Sequence, residues 1–536
     1  MGEQGHVRKK KKPWSKRALV DGPWDYIVIG SGMGGMTTAA MLSKLGKKVL
    51  VLEQHYVPGG FTHMFDRPGY RWDVGVHAVG EVTEHTMTGR LLAKLTDRRL
   101  EWASLGPVYD EFYFPDDFRI DFPDTPQAFR ENLLRAFPQE AAGIGAYFDH
   151  VSEVCAQMRR YYLSRLFPSS WAMATDRLLA KKSRRYFESN TQAVIESLTS
   201  DRKLQTVLTS QWGYYGSLPS KSSFAMQALV TKHFQWGGYY PVGGASQIAR
   251  ELLQTVADAG GWTRISSDVE EILVEGDKAI GVRLASGEEI RAGRIVSAVG
   301  VSSTLSRLMP AEIRQRPWAK RIQALSPASA HVCLYMGFQG DIASAGAGSA
   351  NKWFYNTWAQ DQDAWSVDGE GPEKAPILYC SFPSLKDPMH DPGPDQRHTG
   401  EVVTFVPWKT FERFKDLRWK RRGEEYEKLK DALTESLARQ FFDRLPELEP
   451  MIDHLELSTP ATTHHFCRPI DGSIYGLEPT PQRFDTRELR PHSPIDGLYF
   501  SGSEVASVGV IGAMMGGVMA CAAAEPVDTF RYIREA

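Results

Sequence analysis

The stretch Asp25–Glu53, DYIVIGSGMGGMTTAAMLSKLGKKVLVLE, decides how this 536-residue chain is read. Tyr26 to Ile29 is a short apolar run with β-branched residues and reads as a buried strand. It runs into Gly30-Ser31-Gly32-Met33-Gly34-Gly35, and an apolar helical pattern follows at Met36, Ala40, Met41 and Leu45, capped by Gly46. A second strand, Val49 to Leu52, ends at Glu53. Gly30, Gly32 and Gly35 supply the G-x-G-x-x-G turn, whose glycines let backbone N–H groups approach a pyrophosphate at a helix N-terminus. Glu53 is placed to hydrogen-bond an adenosine ribose. An ordinary Gly-rich turn needs neither the second strand nor the acid in register, so the unit predicts a bound adenine dinucleotide. Gly30, Gly32, Met33, Gly34, Gly35 and Glu53 are its first contacts.

Composition sets the wider frame. At this length two domains are expected. With 42% apolar and 24% charged residues and a net charge of −2, the chain is globular and lacks the basic excess that nucleic acid requires. The five cysteines (Cys155, Cys333, Cys380, Cys467, Cys521) are scattered, which fits reduced thiols in a cytoplasmic-type compartment. No metal signature is present; the adjacent His464 and His465 lack the spacing to share an ion. The N-terminal run Arg8 to Lys12, with Lys16 and Arg17, is followed by no apolar segment and is not a secretory signal. It reads as a basic disordered tail over residues 1–23, or as a polybasic lipid contact aided by Trp14, where each basic residue is worth ~1 kcal/mol.

Two further stretches identify the dinucleotide. QHYVPGGFTHMFDRPGYRWDVGVHAVG, after Glu53, carries Gly59-Gly60 and the run Asp73-Val74-Gly75-Val76-His77. GLYFSGSEVASVGVIGAMMGGVMACAAA, Gly497 to Ala524, carries Gly502-Ser503-Glu504 and Gly512. With GGYYPVGGASQIARELLQTVADAGG (Gly237 to Gly261) and the tract after it, these resemble the flavoprotein group of phytoene and carotenoid desaturases, carotenoid isomerases and retinol saturase. The D-x-G-x-H run and TGRLLAKLTDRRLEWASL are most similar to the retinol saturase branch. The resemblance covers about residues 24–125, 205–305 and 455–524. It implies FAD as the cofactor, with Gly59 and Gly60 beside the flavin and the Val269 backbone against the adenine. It also places Gly502 and Glu504 at the remaining phosphate and ribityl end, and Gly512 in the closing helix.

The implied fold is α/β: a Rossmann-type FAD domain with an inserted sheet-plus-helix substrate domain. The FAD domain takes residues 24–100, 240–300 and 490–536; the substrate- and membrane-facing domain takes 101–239 and 301–489. Runs such as AHVCLYMGF, PILYCSF and EVVTFVPW predict antiparallel strands, and Leu429, Leu433, Leu437 and Phe441 mark one helix face. Met158 to Phe187 mixes eight basic residues and one acid with aromatics, the composition of a membrane-interface segment or of an amphipathic helix pair with a solvated face. Val505 to Ala524 is uncharged, but rich in Gly and Ala without Leu or Phe, and reads as the closing helix rather than a membrane span.

No second G-x-G-x-x-G stands between a strand and a helix, so the electron donor or acceptor is expected to be external. No Ser-His-Asp, paired-carboxylate or nucleophilic-Cys pattern appears, leaving the difficult chemistry to the flavin. His77 is the side chain singled out for proton transfer, since an imidazole titrates near neutrality; the bland alternative is packing beside the flavin. The resemblance implies saturation or desaturation of C–C bonds in a long unsaturated lipid such as a retinoid, carotenoid or fatty-acyl chain. A redox-neutral double-bond isomerase using reduced FAD is the second reading, and a non-catalytic flavin- and lipid-binding protein the third. An amine oxidase shares the fold, but that wider group often has Arg directly after the Gly-Gly pair, where Phe61 stands. A peripheral, cytoplasm-side position on an anionic membrane surface follows from so insoluble a substrate.

Overall fold

The computed structural model describes residues 12–181, 184–362, 364–367 and 374–536. Tyr26–Ile29 and Val49–Leu52 are adjacent parallel strands, with the helix Met33–Lys44 crossing between them. Their side chains alternate between two cores, as a period of two requires. Tyr26, Val28, Val49 and Val51 face Met36, Leu252 and Val518 on the helices Met33–Lys44, Ser246–Asp258 and Gly509–Ala524. Ile27, Ile29, Leu50 and Leu52 face Ile272 and Val282 of a three-stranded antiparallel sheet, Val269–Glu275, Lys278–Leu284 and Glu289–Arg291. Burial on both faces is why these strands read as continuous apolar runs.

The parallel sheet has six strands in the order 14–15, 262–264, 49–52, 26–29, 295–297, 498–500. Its outermost strand corrects the expectation of a disordered tail through residue 23. Trp14 and Ser15 pair with Thr263 and Arg264, Ser15 O accepts from Ile265 N at 3.0 Å, and Ser15 Oγ accepts from Trp262 Nε1 at 3.2 Å. Trp14 packs on the helical side of the core, which is what draws this short segment out of solvent. The basic residues Arg8 to Lys11 lie outside the described residues.

A second sheet of seven strands runs 452–458, 330–339, 397–406, 377–381, 351–355, 108–113, 119–123. It is antiparallel except where Asn351–Tyr355 meets Val108–Tyr113 in parallel, so two distant segments of chain share one sheet. One face, with Leu334, Phe338, Val402 and Val406, is covered by the helix Glu424–Phe442. The other carries Phe112, Trp353, Tyr379 and Phe405, covered by helices between residues 126 and 234. Among the described residues no helix is long and apolar enough to cross a membrane. Gly509–Ala524 instead lies buried against Met33–Lys44.

Candidate functional site

The Gly-rich turn is held by its own polar groups. Gly30 has φ +91°, and a Cβ on Gly35 would stand 2.1 Å from Gly30 O, so both must be glycine for the turn to close. Glu53 Oε2 accepts from Ser31 N at 2.9 Å and from Ser31 Oγ at 2.6 Å, and Glu53 Oε1 accepts from His55 N at 2.8 Å. Ser31 Oγ in turn accepts from Gly59 N at 3.1 Å, tying the Gly-Gly segment to the turn. Gly32 differs from its neighbours: nothing lies within 4 Å of where its Cβ would be. The first N–H groups of a helix lack intrahelical acceptors, and here they open onto that space at Met33 and Gly34. Open space beside unpaired donors is what a pyrophosphate needs.

Gly30, Gly32, Met33, Gly34, Glu53, Gly60, Val269, Gly502, Glu504 and Gly512 border one cavity of about 900 Å³. Gly35 and Gly59 do not. Gly35 is a packing position against Gly30 O, and Gly59, at φ +126°, turns toward His63 N. Glu504 is 4% exposed, and its Oε2 accepts from Ser302 N at 3.0 Å. Burial raises its pKa, while the Ser302 backbone and Arg483 work the other way. It therefore fastens the turn at Gly300, and a Cβ on Gly300 would stand 3.1 Å from Glu504 Oε1.

The same cavity continues from the turn into an apolar channel. Trp353 and Tyr379 pack at 4.3 Å between ring centroids and Tyr214 meets Trp353 edge-on at 4.9 Å, all lining the channel with Val403 and Phe405. Exposed Met87, Arg159 and Phe530 mark where it reaches the surface. Strand register sets the next feature. Asn351 pairs with Asp110, and Ser381 with Glu401, so polar side chains form a row across the seven-stranded sheet. Trp353 pairs with Phe112 and Tyr379, and Tyr379 with Val403, forming an apolar row beside it.

His77 sits against the polar row. Its Nδ1 lies 2.8 Å from Glu401 Oε2, and its backbone carbonyl accepts from Lys386 Nζ at 2.8 Å. Lys386 also donates to Ser381 Oγ at 2.7 Å and to Asn351 Oδ1, filling its three positions. Asn351 Nδ2 donates to Asp110 Oδ1 at 2.8 Å, Tyr214 Oη to the same oxygen at 2.8 Å, and Asp73 N to Glu401 Oε1 at 3.0 Å. Tyr240 Oη closes the group on Asp73 Oδ2.

Burial dominates the protonation of this group. It pushes the carboxyls of Glu401 up to about 8 and of Asp73 and Asp110 up to about 7, and it pulls Lys386 down to about 8. Desolvation, and after it the Lys386 charge, pulls His77 down to about 3. The imidazole is thus neutral across the physiological range, which corrects the expectation that it titrates near pH 7. Glu401, Lys386 and Asp110 were not singled out from sequence. The available signal was Glu401 itself, an acid sharing strand parity with apolar Val403 and Phe405. Among the described residues no group of His, Cys, Asp and Glu is placed to hold a metal ion. The five cysteines are free.

Comparison with known proteins agrees with this geometry. A family model described as flavin-containing amine oxidoreductase matches residues 33–524. The all-trans-retinol 13,14-reductase of Danio rerio is 30% identical over 515 residues, 92% of this chain and 84% of that protein. The chloroplastic prolycopene isomerase of Arabidopsis thaliana is 25% identical over 520 residues, 94% and 83% of the two chains. The crystal structure of an oxidoreductase from Methanosarcina mazei superposes with a TM-score of 0.59 at 17% identity, over 92% of this chain and 98% of that one, a likeness of fold alone. The chain belongs to the flavin-containing amine oxidoreductase family and is an FAD-dependent oxidoreductase.

Proposed function

We propose that this protein saturates a carbon–carbon double bond of a long polyene lipid of the retinoid type. The observation that carries the reading is the single cavity that joins the Gly-rich turn to an aromatic channel and to His77. The dinucleotide half would be held by the turn at Gly30 to Gly34, by Glu53, Gly60 and Val269, and by the Gly502–Glu504 loop. When bound, FAD supplies hydride chemistry at the channel. The aromatic row orients an extended apolar chain and excludes water, and His77 faces it as the proton-transferring side chain. Reducing equivalents come from an external donor.

The test is incubation of the FAD-loaded protein with all-trans-retinol under a chemical reductant, followed by mass spectrometry. A product heavier by two hydrogens is expected. A product of unchanged mass but altered double-bond geometry would replace saturation with the isomerase reading, which the likeness to prolycopene isomerase favours. Unchanged lipid with unchanged flavin absorbance would leave only a carrier.

We further infer peripheral attachment to the cytoplasmic side of an anionic membrane. The channel wall at Met158, Tyr162 and Leu166 continues into a surface where Phe167, Trp171, Met173 and Leu178 are 44%, 64%, 70% and 81% exposed. Arg159, Arg160, Arg177 and Lys181 of the same segment are also exposed. The segment does not offer all the basic residues that the sequence suggests. Arg165 is buried and donates to Thr486 O at 2.8 Å, Arg184 pairs with Glu188 and Asp485, and Arg185 pairs with Glu153. Lys182 lies outside the described residues. Changing the four exposed basic residues to Gln should weaken binding to anionic vesicles by about 4 kcal/mol at low salt, at ~1 kcal/mol each, and leave FAD occupancy intact. Co-sedimentation against salt concentration checks this; equal binding of both proteins would return the patch to plain solvent exposure.

A further inference from the structure

The contact between His77 and Glu401 has a direction. His77 Nδ1 and Glu401 Oε2 are 2.8 Å apart, both are buried, and neither makes a well-directed hydrogen bond to any protein group, each other included. Two neutral groups so placed must share one proton, or both polar atoms would be buried unsatisfied. Three carboxyls, of Asp73, Asp110 and Glu401, stand in this cluster with a single ammonium, Lys386. One cation offsets one carboxylate at most, so acid protons remain in the group at neutral pH. Burial favours Glu401 as a holder, since its pKa is raised to about 8 while that of His77 is lowered to about 3. His331, Tyr240, Tyr379, Tyr335 and Cys333 are the further titratable neighbours of the pair.

We propose that Glu401 is the positioning residue of the site: its carboxyl O–H donates to His77 Nδ1 and fixes the imidazole as the Nε2–H tautomer, whose proton faces the channel. This rests on the saturation reading for its chemical use. There the bound, reduced FAD would supply a hydride to one carbon of the double bond, and this chain's residues supply the proton. His77 Nε2–H gives its proton to the neighbouring carbon, and Glu401 Oε2–H moves to Nδ1. The product is two hydrogens heavier, and Glu401 is left as a carboxylate near the Lys386 ammonium. A proton from bulk solvent then reaches Nε2 through the vacated channel, and the Nδ1 proton returns to Glu401. A neutral imidazole alone is too weak an acid for this step, and the carboxyl behind it makes the proton available.

The experiment uses the full-length holoenzyme with 15N-labelled histidine, and His77→Gln assigns the signal. The wild type should show His77 with the proton on Nε2 and an unprotonated Nδ1. Glu401→Gln can still donate an amide N–H to Nδ1, so it should keep that tautomer and the FAD content. Having no transferable proton, it should lose about 100-fold in kcat with little change in KM, the lower end of what acid catalysis contributes. Glu401→Asp, which keeps an acid, should recover part of the rate. A wild-type signal from Nδ1–H overturns the proposal, as does a Glu401→Gln enzyme with undiminished kcat. If the wild type reduces no polyene, the saturation reading falls, and the tautomer decides on Glu401 by itself. If Glu401→Gln does not fold, the wild-type tautomer again decides.

Discussion

Gly32→Val should give folded but colourless protein. At φ −67° the position suits any residue, and the missing Cβ points into space with no atom within 4 Å, so the fold loses nothing. The added carbons would occupy the space beside the helix N-terminus. A pyrophosphate displaced from there loses charge-assisted hydrogen bonds worth roughly 1.5–3 kcal/mol each, and losing two lowers FAD affinity about 10²- to 10⁴-fold. Titrating FAD into the apo-variant, with thermal unfolding as the check on folding, measures both halves. A yellow Gly32→Val protein with wild-type affinity would place the pyrophosphate elsewhere.

Gly516→Ala should do the reverse and damage the fold first. Its Cβ would stand 2.0 Å from Gly502 O and 2.7 Å from Gly502 C, backbone atoms that no side-chain rotation can move aside. Gly502 is itself pinned, because a Cβ on Gly34 would come within 2.5 Å of Gly502 Cα. Helix Gly509–Ala524, the Gly502 loop and helix Met33–Lys44 therefore meet backbone to backbone. One methyl group there must push the closing helix out, at a cost of about 3 kcal/mol, the upper part of the usual range for overpacking. FAD content should fall with it, because the displaced loop borders the cavity. Gly348→Ala is the control: nothing lies within 4 Å of its Cβ position, and it should change stability by less than about 0.5 kcal/mol. Matching thermal midpoints for Gly516→Ala and Gly348→Ala would refute the close-packing account.

The parts of the fold legible in the sequence are those where a local rule and the tertiary structure agree. Residues 26–29, 33–44 and 49–52 stand where the apolar runs and the Gly-rich turn predict, since strand, turn and helix are specified within one short window. The strands 330–339, 377–381 and 397–406 follow from their apolar runs. Asn351–Tyr355 and Val108–Tyr113 escaped, because they are short and their pairing joins segments far apart in sequence. The polar row escaped for a related reason. Ser381, Asn351 and Asp110 look like ordinary solvent-facing strand residues until register lines them up with Glu401 on the channel side. Glu504 is legible from its motif, but its bond to Ser302 N is not, since motif spacing carries no information on which backbone N–H will claim a carboxylate.

The division of the parallel sheet among separated segments has a consequence in time. Strand Tyr26–Ile29 is made well before its neighbour Ile295–Ser297, and Leu498–Phe500 beyond that comes later still. The Gly-rich turn cannot meet Gly502, nor its helix meet Gly517, until residues near 500 to 517 have been synthesised. Through most of translation the two-faced apolar strands at 26–29 and 49–52 remain without their full cover. The nascent chain should therefore lean on chaperones, and FAD can act only as a late clamp that secures a finished fold rather than as a template that starts it.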